Sequence, residues 1–106
     1  MIIQTVYKGV RFRSRLEARW AVFFDSLGVI WQYEKEGFKF DSSGTYLPDF
    51  FLPDLGYWIE IKGKDPTEAE IAKLSALSAE TKCKAFLFYG DIPEAALDVG
   101  TDSAIC

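Results

Sequence analysis

The sequence predicts an α/β domain, a mixed β-sheet flanked by helices. Three observations carry that expectation. Two segments begin with a hydroxyl residue followed three positions later by glutamate, Ser14 with Glu17 and Thr67 with Glu70, and each opens an apolar pattern of helical period. Between them lie short runs rich in aromatic and β-branched residues, bounded by Gly, Pro, Asp and Ser. A last apolar run at 85–89 follows the second helix. A strand–helix–strand succession of this kind points to parallel pairing through a right-handed crossover.

The elements follow in order. A helix is expected over 14–27, with Leu16, Trp20, Phe23 and Leu27 as its apolar stripe and Gly28 as its stop. Residues 29–33 form a short β-rich run, and 38–40 form a second after Gly37. Residues 41–44 read as a turn. Residues 45–52 are mostly aromatic and apolar and contain Pro48, and 53–56 are a strong turn signal with Pro53 and Gly56. The clearest strand is 57–62, ended by Gly63. The second helix opens near Thr67, places Ile71, Leu74 and Leu77 on its apolar face, and ends near Thr81. The run at 85–89 is continuously apolar, as expected of a central strand covered on both faces. The remainder is acidic, with weak helical character around 94–97. The principal order is helix, three strands, helix, strand. A single domain over 1–106 is expected, its core about 7–92 and an acidic tail at 93–106.

Composition narrows the chemistry. The chain has 106 residues, 49% of them hydrophobic, which suffices for one real core and argues against disorder. The N-terminus does not read as a signal peptide, and no apolar run is long enough to span a bilayer. Cys83 and Cys106 match neither a zinc spacing nor a disulfide framework. A reduced, cytoplasmic protein with no membrane partner is the expectation. The absence of histidine excludes Ser-His-Asp hydrolases, Cys-His proteases and metal sites built on imidazole. Catalysis here must rest on carboxylates, lysine, tyrosine or a metal held by oxygen.

The net charge of −4 argues against a general nucleic-acid binder, but its distribution matters more. Residues 1–89 are neutral, and the excess lies in Asp91, Glu94, Asp98 and Asp102. Within the neutral part, Lys8, Arg11, Arg13, Arg15 and Arg19 form a basic cluster broken only by Glu17.

The strand at 57–62 carries the sharpest signal. Side chains alternate across a strand, so Trp58, Glu60 and Lys62 share one face, and Ile59 and Ile61 share the other. If the turn at 53–56 pairs Leu52 with Tyr57, Asp49 falls opposite Glu60. Directly opposed Cβ atoms lie about 4.5–5.5 Å apart, so two carboxylates would face each other. That arrangement needs a reason, and a divalent cation is one. Mg2+ takes hard oxygen ligands and keeps several waters beside one or two carboxylates. The backbone carbonyl of Ile61 could add a ligand.

Pro48-Asp49 followed by Glu60-Ile61-Lys62 resembles the PD-(D/E)xK nuclease motif. Glu17 on the preceding helix resembles the helix glutamate of several branches, including archaeal-type Holliday junction resolvases and TnsA-like transposon endonucleases. The element order is similar to the αβββαβ core of that restriction-endonuclease-like superfamily, over roughly residues 7–92. The resemblance implies a small endonuclease of the phage or mobile-element kind, using Mg2+ or Mn2+ to hydrolyse DNA. Asp49 and Glu60 would ligate the metal. Lys62 would orient the attacking water and stabilise charge on the phosphate. Glu17 would complete the metal's surroundings, directly or through water.

Each residue also has a plainer explanation. Asp49, Glu60 and Lys62 could form an exposed face with weak ion pairs. Glu17 could serve only its helix cap. Lys8, Arg11, Arg13, Arg15 and Arg19 could be a solvated face, although DNA contact is favoured for the group. Lys64 and Tyr46 are weaker candidates, and Glu34 could approach the site. Trp31 or Trp58 could stack on an unpaired base. The alternative to an enzyme is a non-catalytic module of the same fold that binds DNA or a partner, and a third reading is an interaction protein with an acidic tail. A chain this small has little room for a sequence-reading domain, which favours structure-selective or weakly specific cleavage, a homodimer acting on two strands, or a catalytic subunit within a larger nucleic-acid-processing complex.

Overall fold

The computed structural model describes residues 5–40, 44–90 and 95–98. It is a mixed α/β fold. Strands β1 (Thr5–Tyr7) and β2 (Val10–Phe12) precede helix α1 (Arg15–Ser26). Then come β3 (Gln32–Tyr33), β4 (Phe38–Phe40), β5 (Gly44–Tyr46), β6 (Phe50–Leu52) and β7 (Tyr57–Lys62). Helix α2 (Glu68–Thr81), β8 (Lys84–Tyr89) and β9 (Ala95–Asp98) complete the described elements. The central sheet has the order β3-β6-β7-β8-β9, and only the β7–β8 pair is parallel. β1–β2 and β4–β5 form separate two-stranded ladders.

The helices begin as the cap pattern predicts. Ser14 Oγ accepts from Glu17 N–H at 3.1 Å, and Thr67 Oγ1 accepts from Glu70 N–H at 3.2 Å. In α1 the buried stripe is Ala18, Trp20, Ala21 and Phe24. It is rotated from the expected Leu16–Trp20–Phe23–Leu27 line, because Leu27 is the C-cap and 60% exposed. The rotation matters for function. Positions 17, 20, 21 and 24 lie on one helix face, so Glu17 stands at the N-terminal end of the buried stripe.

The two faces of the sheet build two cores. Ile59 and Ile61 pack with Phe50, Leu52, Phe12 and α1, and Trp20 stacks on Phe88 with ring centroids 4.6 Å apart. Phe51, Trp58, Ala85 and Leu87 pack with Leu74 and Leu77 of α2. Phe38, Phe40 and Tyr46 of the β4–β5 hairpin join this second core. Each fully buried large apolar side chain contributes about 1.5–3 kcal/mol. β8 is covered on both faces, as its unbroken apolar run predicts.

Several features depart from expectation. The N-terminal hairpin β1–β2 is turned by Lys8 and Gly9, both at positive φ (52° and 77°), the backbone that a two-residue hairpin turn requires. The expected run at 29–33 is a strand only at β3. Residues 45–52 split into β5 and β6 around Leu47-Pro48-Asp49, since proline has no N–H to give a ladder. The weak helical character expected around 94–97 is not found. Ala95–Asp98 pairs antiparallel with β8, and the rest of the acidic tail, with the 41–43 turn, lies outside the described residues. Cys83 is not a free thiol, which departs from the expected reduced pair. Among the described residues no helix is long and apolar enough to cross a membrane.

Candidate functional site

The β6–β7 hairpin creates the site. Leu55 and Gly56 both donate backbone N–H groups to Leu52 O (3.1 and 2.8 Å), and Gly56 takes a φ of 71° to close the turn. That turn sets Leu52 opposite Tyr57 and Phe50 opposite Ile59. One step further along this register, Asp49 stands against Glu60, as expected from the sequence.

The two carboxylates are interlocked. Ile61 N–H donates to Asp49 Oδ2 at 2.8 Å, and Asp49 N–H donates to Glu60 Oε1 at 3.3 Å. Tyr46 Oη donates to the same Glu60 oxygen at 2.8 Å. Asp49 is 7% exposed and Glu60 8%. Burial raises the pKa of both, that of Asp49 to about 9. For Asp49 the neighbouring charges of Glu60 and Glu17 add to the rise, and for Glu60 the Tyr46 hydrogen bond and Lys62 oppose it. The Ile61 N–H points at Asp49, and a strand residue's carbonyl faces the same edge as its amide. The Ile61 carbonyl is thus on the Asp49 side of β7.

Lys62 is half-buried between two acids. Its Nζ is 2.9 Å from Glu70 Oε2 and 3.5 Å from Glu60 Oε2. Desolvation works to lower its pKa, but the Glu70 hydrogen bond and the charges of Glu60 and Glu70 outweigh it and hold the amine protonated. Glu70 is itself fixed. Its Oε1 accepts from Thr67 N–H at 2.8 Å, closing the capping box of α2. One glutamate therefore ties the start of α2 to Lys62.

Glu17 behaves differently. Its side chain does not return to its own N-cap but accepts a short hydrogen bond from Tyr33 Oη. Tyr33 Oη accepts in turn from Arg13 N–H at 3.1 Å. Burial raises the Glu17 pKa, and the Tyr33 hydrogen bond opposes the rise. Burial pushes the Tyr33 and Tyr46 hydroxyls far above their ordinary value, so both stay protonated donors. Among the described residues no group of three or more His, Cys, Asp or Glu side chains is arranged to hold a metal ion. Asp49 and Glu60 are the close pair, and Glu17 stands beside them on Tyr33.

A cleft of about 370 Å3 opens over these groups, lined by Arg13, Glu34, Tyr46, Leu47, Asp49, Glu60, Lys62, Glu70 and Lys73. Of the basic candidates, Arg13 is on its wall, ion-paired with Glu34. Arg11, Arg15 and Arg19 are exposed beside α1 but do not line the cleft. Lys8 pairs with Asp25 at 3.0 Å, by a separate hollow, and Lys64 lies by another with Gly63 and Gly90. Glu34 approaches the site, with φ at 49° and its N–H on Asp49 O at 2.8 Å. Neither tryptophan offers a base-stacking face in the cleft. Trp58 is buried with its Nε1 on Thr81 Oγ1, and Trp31 donates to Asp25.

Tyr33, Glu70 and Lys73 were not legible as site residues. Glu70 carried a signal, its capping-box position, but that reading stops at the helix. Tyr33 reaches Glu17, and Lys73 reaches the cleft, only through the tertiary packing of β3 and α2. No protein-family model, no curated protein and no solved structure matches this chain.

Proposed function

We propose that the chain is a metal-dependent endonuclease hydrolysing DNA phosphodiester bonds, built on a restriction-endonuclease-like core with a PD-(D/E)xK site. One observation carries the reading: Asp49 and Glu60, two buried carboxylates interlocked across a hairpin, with burial opposing the charge of both. Buried like charges destabilise a fold unless something compensates them. The donor set fits a hard cation, since it consists of carboxylate oxygens on an open cleft with the Ile61 carbonyl on the same edge. The α1-β3-β6-β7-α2-β8 succession also supports the reading.

Asp49 and Glu60 would hold Mg2+ or Mn2+; Glu17, which does not line the cleft but whose charge reaches Asp49, would act through water. When bound, the ion supplies an activated water and stabilises the charge that develops on the phosphate. The chain's own groups do the rest. Lys62 keeps its proton, so it acts as a hydrogen-bond donor and not as a base. Of its three donors, one holds Glu70 and one faces Glu60, and the third serves to orient the attacking water or a phosphate oxygen. Tyr46 keeps Glu60 Oε1 in place by donating to it. The Pro48-Asp49 step interrupts the β5–β6 run and opens the floor of the cleft.

The test is cleavage of supercoiled plasmid, linear duplex, single strand, flap and four-way junction with Mg2+ or Mn2+, against EDTA and Glu60→Gln. Metal-dependent cutting lost in the variant supports the enzyme and names its substrate. No cutting, with no stabilisation of the fold by either metal, leaves a non-catalytic binding module.

A further inference from the structure

Three cations line the cleft, and two are neutralised. Arg13 is paired with Glu34, and Lys62 is held by Glu70 and Glu60. Lys73 is the third. Among the described residues it has no ion-pair partner. It lies three positions after Glu70 on α2, so both project from one helix face. Because Glu70 is tied to Lys62, that face is turned onto the site. Lys73 is half-buried and lines the cleft, and a lysine so placed lays its stem along the protein while its charge stays in water. The same wall carries Glu34, Asp49, Glu60 and Glu70. A polyanion approaching four carboxylates needs a cation not already spent on them.

We infer that Lys73 is a phosphate-binding residue, gripping a backbone phosphate of the nucleic-acid strand next to the one that reaches Asp49 and Glu60. The inference rests on the nuclease reading and deepens it. It places the strand's path along the start of α2, and it assigns the grip to a residue outside the basic cluster of the N-terminal region. A backbone phosphate contact carries no base information, so Lys73 adds affinity for every sequence alike.

The experiment is equilibrium binding of fluorescent DNA to the uncut Glu60→Gln protein, by anisotropy, across a salt series. Lys73→Ala is made in that background. Lys84→Ala is the control: it removes the same charge at the start of β8, the end of the strand away from Lys62. Lys73→Ala is expected to weaken binding several-fold on all sequences and to lower the salt slope by about one. Lys84→Ala is expected to leave the slope unchanged. Equal effects from the two variants, or an unchanged slope in Lys73→Ala while DNA still binds, overturn the Lys73 assignment alone. No DNA binding by the Glu60→Gln protein at any salt overturns both the assignment and the nuclease reading. Circular dichroism of each variant verifies the fold, and Lys73→Arg, which keeps the charge, is expected to restore the slope.

Discussion

Helices α1 and α2 begin with the same four-residue device and use it in opposite ways. Both N-caps accept the N3 amide, at 3.1 Å in α1 and 3.2 Å in α2. In α2 the N3 glutamate completes the box, returning one oxygen to Thr67 N–H and giving the other to Lys62. In α1 the N3 glutamate leaves the cap and bonds Tyr33. The difference follows from surroundings. Glu70 is partly exposed at the cleft rim, so its two oxygens can serve the cap and a cation together, and its pKa is lowered, first by the Thr67 amide and then by Lys62. Glu17 lies at the end of a buried stripe, where a tyrosine hydroxyl is the nearer donor and burial raises its pKa. A capping-box pattern therefore specifies which amide is capped, and tertiary packing decides where the carboxylate goes.

Glu70 lines the cleft over the Asp49–Glu60 pair and the charge of Glu17 reaches Asp49, so substitutions at and around these residues test the contrast. The largest effect is expected from Glu60→Gln or Asp49→Asn, which should reduce cleavage to the metal-free background. Each should also gain melting temperature on the metal-free parent as pH rises, because an amide cannot take the charge that burial opposes. Unaltered cleavage in both would remove the centre that the two helices are held to serve.

Glu70→Gln comes next. Glutamine still closes a capping box but loses the charge that the Thr67 amide and Lys62 favour, so the melting temperature should fall only slightly at pH 7, while cleavage falls by about 10-fold or more as Lys62 loses its anchor, the scale of a supporting partner beside a metal site. The loss should appear in kcat and not in KM. Equal activity with a lowered melting temperature would make Glu70 a cap and nothing more.

Third, Thr67→Ala and Ser14→Ala should each cost about 1 kcal/mol in denaturant unfolding. Thr67→Ala should also reduce cleavage, since it loosens the residue that holds Lys62. Ser14→Ala should not, because Glu17 is held by Tyr33. Matching activity losses would erase the distinction between the helices.

The smallest effect is a pair of opposed pH slopes. Glu70 has a lowered folded pKa, so its contribution is present above the ordinary glutamate value of 4.5 and is lost as pH falls through the folded value. Glu17 has a raised folded pKa, so its contribution is full below 4.5 and is lost as pH rises through the folded value. Relative to the parent, Glu70→Gln should be less stable at pH 7 and converge in acid. Glu17→Gln should gain on the parent as pH rises from 4.5 to 7. Melting curves of both variants across that range check the signs.

What could be read from the chain depended on how local the determinant was. The pairing of Asp49 with Glu60 followed from a four-residue turn and strand alternation, both legible along eleven positions. The parallel β7–β8 pair followed from an intervening helix. The β1–β2 hairpin was missed because three-residue strands are too short to display alternation, and Lys8-Gly9 lacks the Asn or Asp that marks such turns. The β9 strand was missed because its pattern is set by its neighbour β8 and not by its own residues. Tyr33 meets Glu17, and Lys73 enters the cleft, from elements brought together only by the two cores. Their chemistry was visible, but not their address.

The β4–β5 hairpin has a consequence for how such a molecule can change over time. It shares no ladder with the central sheet, yet it brings Tyr46 to Glu60 and packs Phe38 edge-on against Trp58, with centroids 5.3 Å apart. A wall joined to the sheet by side-chain packing and its chain ends, and by no ladder, can be lengthened, shortened or exchanged at its tip without shifting the register of β6 on β7. The carboxylates keep their spacing while the opening above them is remodelled. Lineages built on this plan can diversify what they admit while inheriting the reaction floor intact.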